Sequence, residues 1–137
     1  MGQEETRIRD EEQLRLLGTF HYVVAGVEAA FGVLSLLNLA LGLAMLREGS
    51  DFFGAGPPMP EFFGPFMVAT SILYFIGGLG FAALTFAAGR RLRALRSRRF
   101  VVVAAAINCI AFPFGTILGV FTLVVLNRDS VRAMFES

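Results

Sequence analysis

Three apolar runs dominate the chain: Phe20–Leu46, Pro65–Ala88 and Phe100–Leu126. The second and third carry no charged residue, and the first carries a single acid, Glu28. Each is longer than the ~20 residues that take a helix across bilayer hydrocarbon. A soluble core of this size has no room for helices that are apolar all round. The pattern therefore predicts an all-α fold, an integral membrane helical bundle in one domain, 1–137. It comprises two full spans plus a broken third apolar segment forming a short helical hairpin, four helices in all. A short amphipathic N-terminal helix precedes them.

That first helix is read at residues 8–18, where Ile8, Leu14, Leu16 and Leu17 are the apolar members. Acids come early and Arg15 late, which suits the helix dipole. It is expected at the cytoplasmic surface, running into the first span (20–46) near Gly18. The mixed charges of residues 1–17 and the 27-residue run that follows do not fit a cleavable signal, whose apolar region is only ~7–15 residues. A retained helix is expected instead.

Residues 47–64 (REGSDFFGAGPPMPEFFG) read as an external loop with three prolines and four glycines. One arginine against three acids suits the non-cytoplasmic side. Phe-Phe-Gly occurs at 52–54 and 62–64, on either side of the prolines. A loop folded onto the interface with its phenylalanines in lipid is expected, with a lid over a hydrophobic ligand as the rival. Pro65 opens the second span (65–88), where its missing N–H costs nothing.

The third run is interrupted by Phe112-Pro113-Phe114-Gly115-Thr116. Residues before proline avoid helical angles, and threonine is a good N-cap. A turn here gives two short helices, 98–112 and 116–127. The rival is one kinked span, since membrane helices tolerate proline. In the tail, 128–137, Arg128 and Arg132 lie close to the last apolar residue. They favour the cytoplasm and hence an even number of crossings, which favours the hairpin. Its arms are short for a span, so snorkelling arginines or local bilayer thinning are expected.

Charge then sets the orientation. The loop 89–99 contains Arg90, Arg91, Arg93, Arg96, Arg98 and Arg99, six of the twelve basic residues, all of them arginine. Positive charge between apolar runs marks the cytoplasmic side, so this loop and the N-terminus face the cytoplasm. Anionic lipid headgroups are the expected partners of these arginines. No nucleic-acid partner is expected.

One face of the first span carries His21, Ala25, Glu28, Gly32, Ser35, Asn38 (or Leu39) and Gly42 at helical spacing. The second span repeats the arrangement with Ser71, Tyr74, Gly78, Ala82, Thr85 and Gly89. Gly115-x-x-x-Gly119 and Thr122 follow later, and Asn108 lies one turn from Ala104. Small residues let membrane helices approach closely and polar ones bond across them, so these are packing faces.

Glu28 lies inside a span, about 12 Å beyond Phe20. An acid there costs about 2–3 kcal/mol on insertion scales. Three roles stand open: a protonated acid bonded to Asn108 or Tyr74, a proton or cation-substrate site, or a pair with another subunit's arginine. His21 lies about 10 Å away on the same face. As a lone histidine near the interface it reads as an anchor.

Other chemistry is sparse. Cys109 is the only cysteine and His21 the only histidine, which excludes a multi-cysteine metal cage and bis-histidine haem within one chain. No glycine-rich phosphate loop or catalytic triad is visible. No cofactor is expected, and no enzymatic activity.

The segments TFHYVVAGVEAAFGVLSL (19–36) and INCIAFPFGTILGVFTLVVLNRDSVRAMF (107–135) resemble a widespread set of small, uncharacterised bacterial membrane proteins. Their closing signature runs F-P-x-G-T-x-L-G-x-x-T-L-x-V-L. Phe112, Pro113, Gly115, Thr116, Leu118, Gly119, Thr122, Leu123, Val125 and Leu126 carry it here. The resemblance implies the bacterial inner membrane and no particular activity. A weaker analogy is to small multidrug transporters, which have an essential glutamate in the first of four short helices. Only Glu28 carries over, and the longer first loop and broken last helices depart from that pattern.

The leading expectation is a small non-enzymatic inner-membrane protein, an accessory or scaffold subunit packing with itself or with other membrane subunits. The alternatives are a proton-coupled exporter of lipophilic cations using Glu28 and a lipid- or quinone-binding module under the phenylalanine loop.

Overall fold

A computed structural model describes residues 2–49, 54, 56–111 and 113–136, with Phe114 described in its backbone only. These residues form helices and turns, with no strand among them. The five helices are α1 (Gly2–Glu48), α2 (Phe63–Arg93), α3 (Arg98–Asn108), α4 (Phe114–Leu126) and α5 (Asp129–Glu136).

The helix boundaries differ from expectation in several places. The 8–18 segment is not a separate element, because α1 runs unbroken through Gly18 to Glu48. No proline interrupts it, Glu4 and Glu5 stand in its first turn, and Arg47 in its last, each sign favoured by the helix dipole. The loop expected at 89–99 shrinks to four residues, since α2 continues through Arg90, Arg91 and Arg93. Arginine is a good helix former, and cations stabilise a helix C-terminus. The tail 128–137, for which the sequence predicts no element, contains α5. Val131, Met134 and Phe135 recur at helical spacing there and turn toward the core.

Among the described residues, α1 and α2 are the helices long and apolar enough to cross a membrane; the helical part of the last run, Gly115–Leu126, is shorter. In their most apolar 18-residue windows only 22% and 11% of residues are buried. A core helix of a soluble protein would be mostly covered, so these two helices have large apolar faces open to their surroundings.

The residues fall into two units, one of residues up to Val27 with those from Phe81 onward, the other Glu28–Gly80. In the first unit, Leu14 and Leu17 of α1, Leu92 of α2, Val101 of α3, Leu118, Val125 and Leu126 of α4, and Val131 of α5 form one buried cluster. Here α1 and α2 run antiparallel, with Gly18 against Gly89 and the Tyr22 and Phe86 rings 5.1 Å apart.

Helix α4 packs on α3 through its own two glycines, Gly115 and Gly119. A Cβ on Gly119 would stand 2.5 Å from the Ala105 carbonyl oxygen, and one on Gly115 would stand 2.5 Å from that of Asn108. Thr116 is not the N-cap, because α4 starts at Phe114 with Pro113 at the cap position. Its hydroxyl instead donates to the Cys109 carbonyl at 2.7 Å, meeting an acceptor left open at the end of α3. Helix α3 ends at Asn108, short of the expected 112, and Phe112 lies outside the described residues.

In the second unit the later part of α1 and the earlier part of α2 are also antiparallel. Gly32 lies against Gly78, Gly42 against Met67 and Val68, and Leu46 against Gly64. A Cβ on Gly78 would come within 3.1 Å of the Gly32 Cα and 3.3 Å of the Glu28 carbonyl oxygen. The two backbones nearly touch at this point, as small-residue pairs allow.

Candidate functional site

The small-and-polar stripes face inward. On α1, His21, Ala25, Gly32, Ser35 and Gly42 are buried and Glu28 is half-buried. Of the two candidates at the next step, Leu39 is half-buried and Asn38 is exposed. On α2, Ser71, Ala82, Thr85 and Gly89 are buried and Gly78 half-buried, whereas Tyr74 is 67% exposed. The covered aromatic at that level is Phe75. Tyr74 is therefore not part of the packing face.

Four polar side chains, one from each of α1 to α4, are fully buried in the first unit: His21, Thr85, Asn108 and Thr122, each 0% exposed. Asn108 is paired with Thr85. Its Nδ2 donates to Thr85 Oγ1 at 2.9 Å, and Thr85 Oγ1 donates to its Oδ1 at 3.1 Å. Thr122 donates to the Leu118 carbonyl at 2.7 Å. His21 Nδ1 lies 2.8 Å from the Leu17 carbonyl, an acceptor, so this nitrogen carries a proton and donates it there. Nε2 finds no partner among the described residues. The ring sits in the bundle beside Gly89, fully buried.

The Glu28 backbone carbonyl borders the close approach of Gly32 and Gly78 within the second unit, and the residue is half-buried in the interior of an apolar helix. Among the described residues, no group of three or more His, Cys, Asp or Glu side chains could hold a metal ion.

The six arginines of the cluster divide by role. Arg98 Nε and Nη2 both donate to the Leu126 carbonyl, at 3.2 and 2.8 Å, closing the C-terminus of α4. This is an internal bond to the fold rather than a free headgroup contact. Arg91 lays its guanidinium 3.9 Å over the Phe100 ring. Arg93 runs along Gly18, its guanidinium 5.7 Å from the Tyr22 ring centre, near the outer limit of a cation–π contact. Arg90, Arg96 and Arg99 are exposed.

Sequence reading missed a second polar group. Asp10 is 2% exposed, with Oδ1 3.9 Å from Arg128 Nη1, which also donates to Gln13 Oε1 at 2.8 Å. These contacts tie α1 to the joint between α4 and α5. The signal was present, because Asp10 shares a helical face with Leu14 and Leu17. Beside this joint runs an apolar cleft of about 550 Å³, lined chiefly by Leu17, Phe20 and Val24 of α1 and Leu118, Phe121 and Val125 of α4. It is distinct from the phenylalanine loop. There Phe62 is exposed and Phe63 half-buried, while Phe52 and Phe53 lie outside the described residues.

No protein-family model, curated protein or solved structure matches this chain.

Proposed function

We propose that the chain is an integral protein of the bacterial inner membrane, with α1 and α2 as its spans and α3 and α4 as a re-entrant pair. The N-terminus, the arginine-rich turn and α5 then lie on the cytoplasmic side. The open apolar faces of α1 and α2 and the arginines at the end of α2 support this arrangement. The likeness of the closing segment to small bacterial membrane proteins adds the cellular location. At 47 residues, α1 is about 70 Å long, well beyond one bilayer core, so its first turns extend into the cytoplasm.

In this membrane the protein acts without catalysis, as an accessory or scaffold subunit that assembles with itself or with other membrane proteins. One observation carries the reading. Asn38 and Tyr74 are exposed polar residues set between the Gly32–Gly78 and Gly42–Val68 contacts, deep in the spans. None of the hydrogen bonds among the described residues uses either side chain. Polar groups facing lipid are costly, and asparagine satisfies itself by bonding across helices. A neighbouring membrane helix supplies what the chain alone does not.

The test is the assembly state in mild detergent. Wild type is expected as an oligomer or with a co-purifying membrane protein, and Asn38→Leu with Tyr74→Phe is expected to shift it toward a monomer. A wild-type monomer with no companion would defeat the reading.

Glu28 supports a second reading, proton-coupled export of lipophilic cations, because an acid inside an apolar span is a coupling group by default. Glu28→Gln should then abolish substrate-driven proton release, and a wild type that releases none would exclude it.

A further inference from the structure

We infer that Arg90, Arg91 and Arg96 form a binding site for the phosphate group of an anionic phospholipid. The inference rests on the membrane reading above and gives part of the arginine cluster one defined ligand. In the sequence the six arginines are an undifferentiated run. The fold spends Arg98 on the Leu126 carbonyl and directs Arg93 along Gly18 toward Tyr22. Three of the others converge on one recess of about 390 Å³, lined by Phe86, Ala87, Arg90, Arg91, Ala94 and Arg96.

The turn after α2 brings them together. Arg96 N–H donates to the Arg91 carbonyl at 3.0 Å and Leu95 N–H to that of Leu92 at 3.2 Å, the paired bonds of a Schellman cap. Glycine usually holds the left-handed position of this cap, but here it is Leu95, with φ 52°. The left-handed conformation is unfavourable for leucine because its Cβ crowds the following carbonyl oxygen. The partly buried Leu95 side chain packs against the buried cluster of the first unit, and this apolar contact offsets the strained backbone. The turn is thereby fixed, and Arg96 folds back beside Arg90 and Arg91. The Arg91 guanidinium carbon lies 3.9 Å over the Phe100 ring, and a guanidinium's N–H groups suit oxygen ligands.

The recess has no carboxylate in its lining. Among the described residues the ion pairs are Arg7–Glu11 and Arg128–Asp10, so none of these three cations has an acidic partner there. Three guanidiniums around one recess repel each other until an anion enters. Phosphate oxygens match the planar guanidinium fork. The remaining wall identifies the phosphate as a lipid's. Phe86 is 49% exposed and continues onto the open apolar face of α2, so hydrocarbon can lie against it while the headgroup meets the arginines.

Native mass spectrometry of the full chain in neutral detergent tests this, with phosphatidylglycerol, phosphatidylcholine and inorganic phosphate as probes. Wild type should retain phosphatidylglycerol roughly tenfold over phosphatidylcholine. Arg90→Gln/Arg91→Gln/Arg96→Gln should lose that preference, while Arg9→Gln/Arg47→Gln/Arg132→Gln, with the same charge removed elsewhere, should keep it. Arg90→Gln/Arg96→Gln leaves the Arg91–Phe100 stack intact and should also lose most of the preference, even if the triple variant folds poorly. Equal retention in the recess and control variants, or no preference in wild type, would overturn the site. Displacement of the lipid by equimolar inorganic phosphate would make it a free-anion site and overturn the lipid assignment. Resistance to carbonate extraction from membranes reports on the membrane reading separately.

Discussion

Thr85 of α2 and Asn108 of α3 exchange two hydrogen bonds, at 2.9 and 3.1 Å, with both side chains at 0% exposure. Each residue satisfies the other, and neither would otherwise have a place in a bundle core. The pair fixes the register of α2 against α3, because a slip of one residue would separate the hydroxyl from the amide and leave both buried without partners.

Removing half of this pair should therefore cost more than removing all of it. Asn108→Ala leaves the Thr85 hydroxyl stranded and is expected to destabilise by about 1–3 kcal/mol. Thr85→Ala/Asn108→Ala should cost less than the sum of the two single changes. A double-mutant cycle on thermal or denaturant unfolding in detergent measures the coupling, and strict additivity would show that the bonds contribute nothing jointly.

Gly119 is set by space. Leu at this position drives a side chain into the Ala105 carbonyl and the Cys109 sulfur, 2.5 and 2.6 Å from where its Cβ would stand. Overpacking of this kind typically costs about 1–3 kcal/mol. Gly119→Leu should lower the melting temperature markedly, whereas Gly80→Leu, with open space around it, should not.

Arg98 joins the start of α3 to the end of α4 through the Leu126 carbonyl. Arg98→Gln loses the charge-assisted bond, worth about 1 kcal/mol at a half-buried site. The expected result is faster amide hydrogen exchange in the last turn of α4, with lipid preference unchanged. Unchanged exchange there would mean that the cap is dispensable.

The side of the C-terminus separates a re-entrant α3–α4 pair from a third crossing. With Cys109 replaced by alanine, Glu136→Cys should resist a membrane-impermeant thiol reagent applied from the periplasmic side. It should react once the membrane is opened. Labelling in intact spheroplasts would establish three crossings.

Helix type and the inward stripes were legible in the sequence because both rest on local periodicity. Gly32, Ser35 and Gly42 on α1, and Ser71, Ala82 and Thr85 on α2, recur every three or four residues, and that spacing alone sets a common face. The break near Pro113 was legible for the same reason, since proline and glycine act on their immediate neighbours. Asn38 and Leu39 are adjacent in the stripe, and the pattern could not separate them; nor could it place Tyr74 outside it.

What the sequence by itself determined is an all-α chain with two helices apolar and long enough for a bilayer, a charged turn after the second, and small residues where helices meet. Only the tertiary structure decided the partners of individual side chains. It paired Asn108 with Thr85, gave Asp10 to Arg128, turned Tyr74 outward, and divided five of six similar arginines among a helix cap, aromatic contacts and a shared recess. The physical reason is range. Periodicity is written within a few residues, whereas the Arg98–Leu126 and Arg128–Gln13 bonds join residues 28 and 115 positions apart, which come together only when the helices pack.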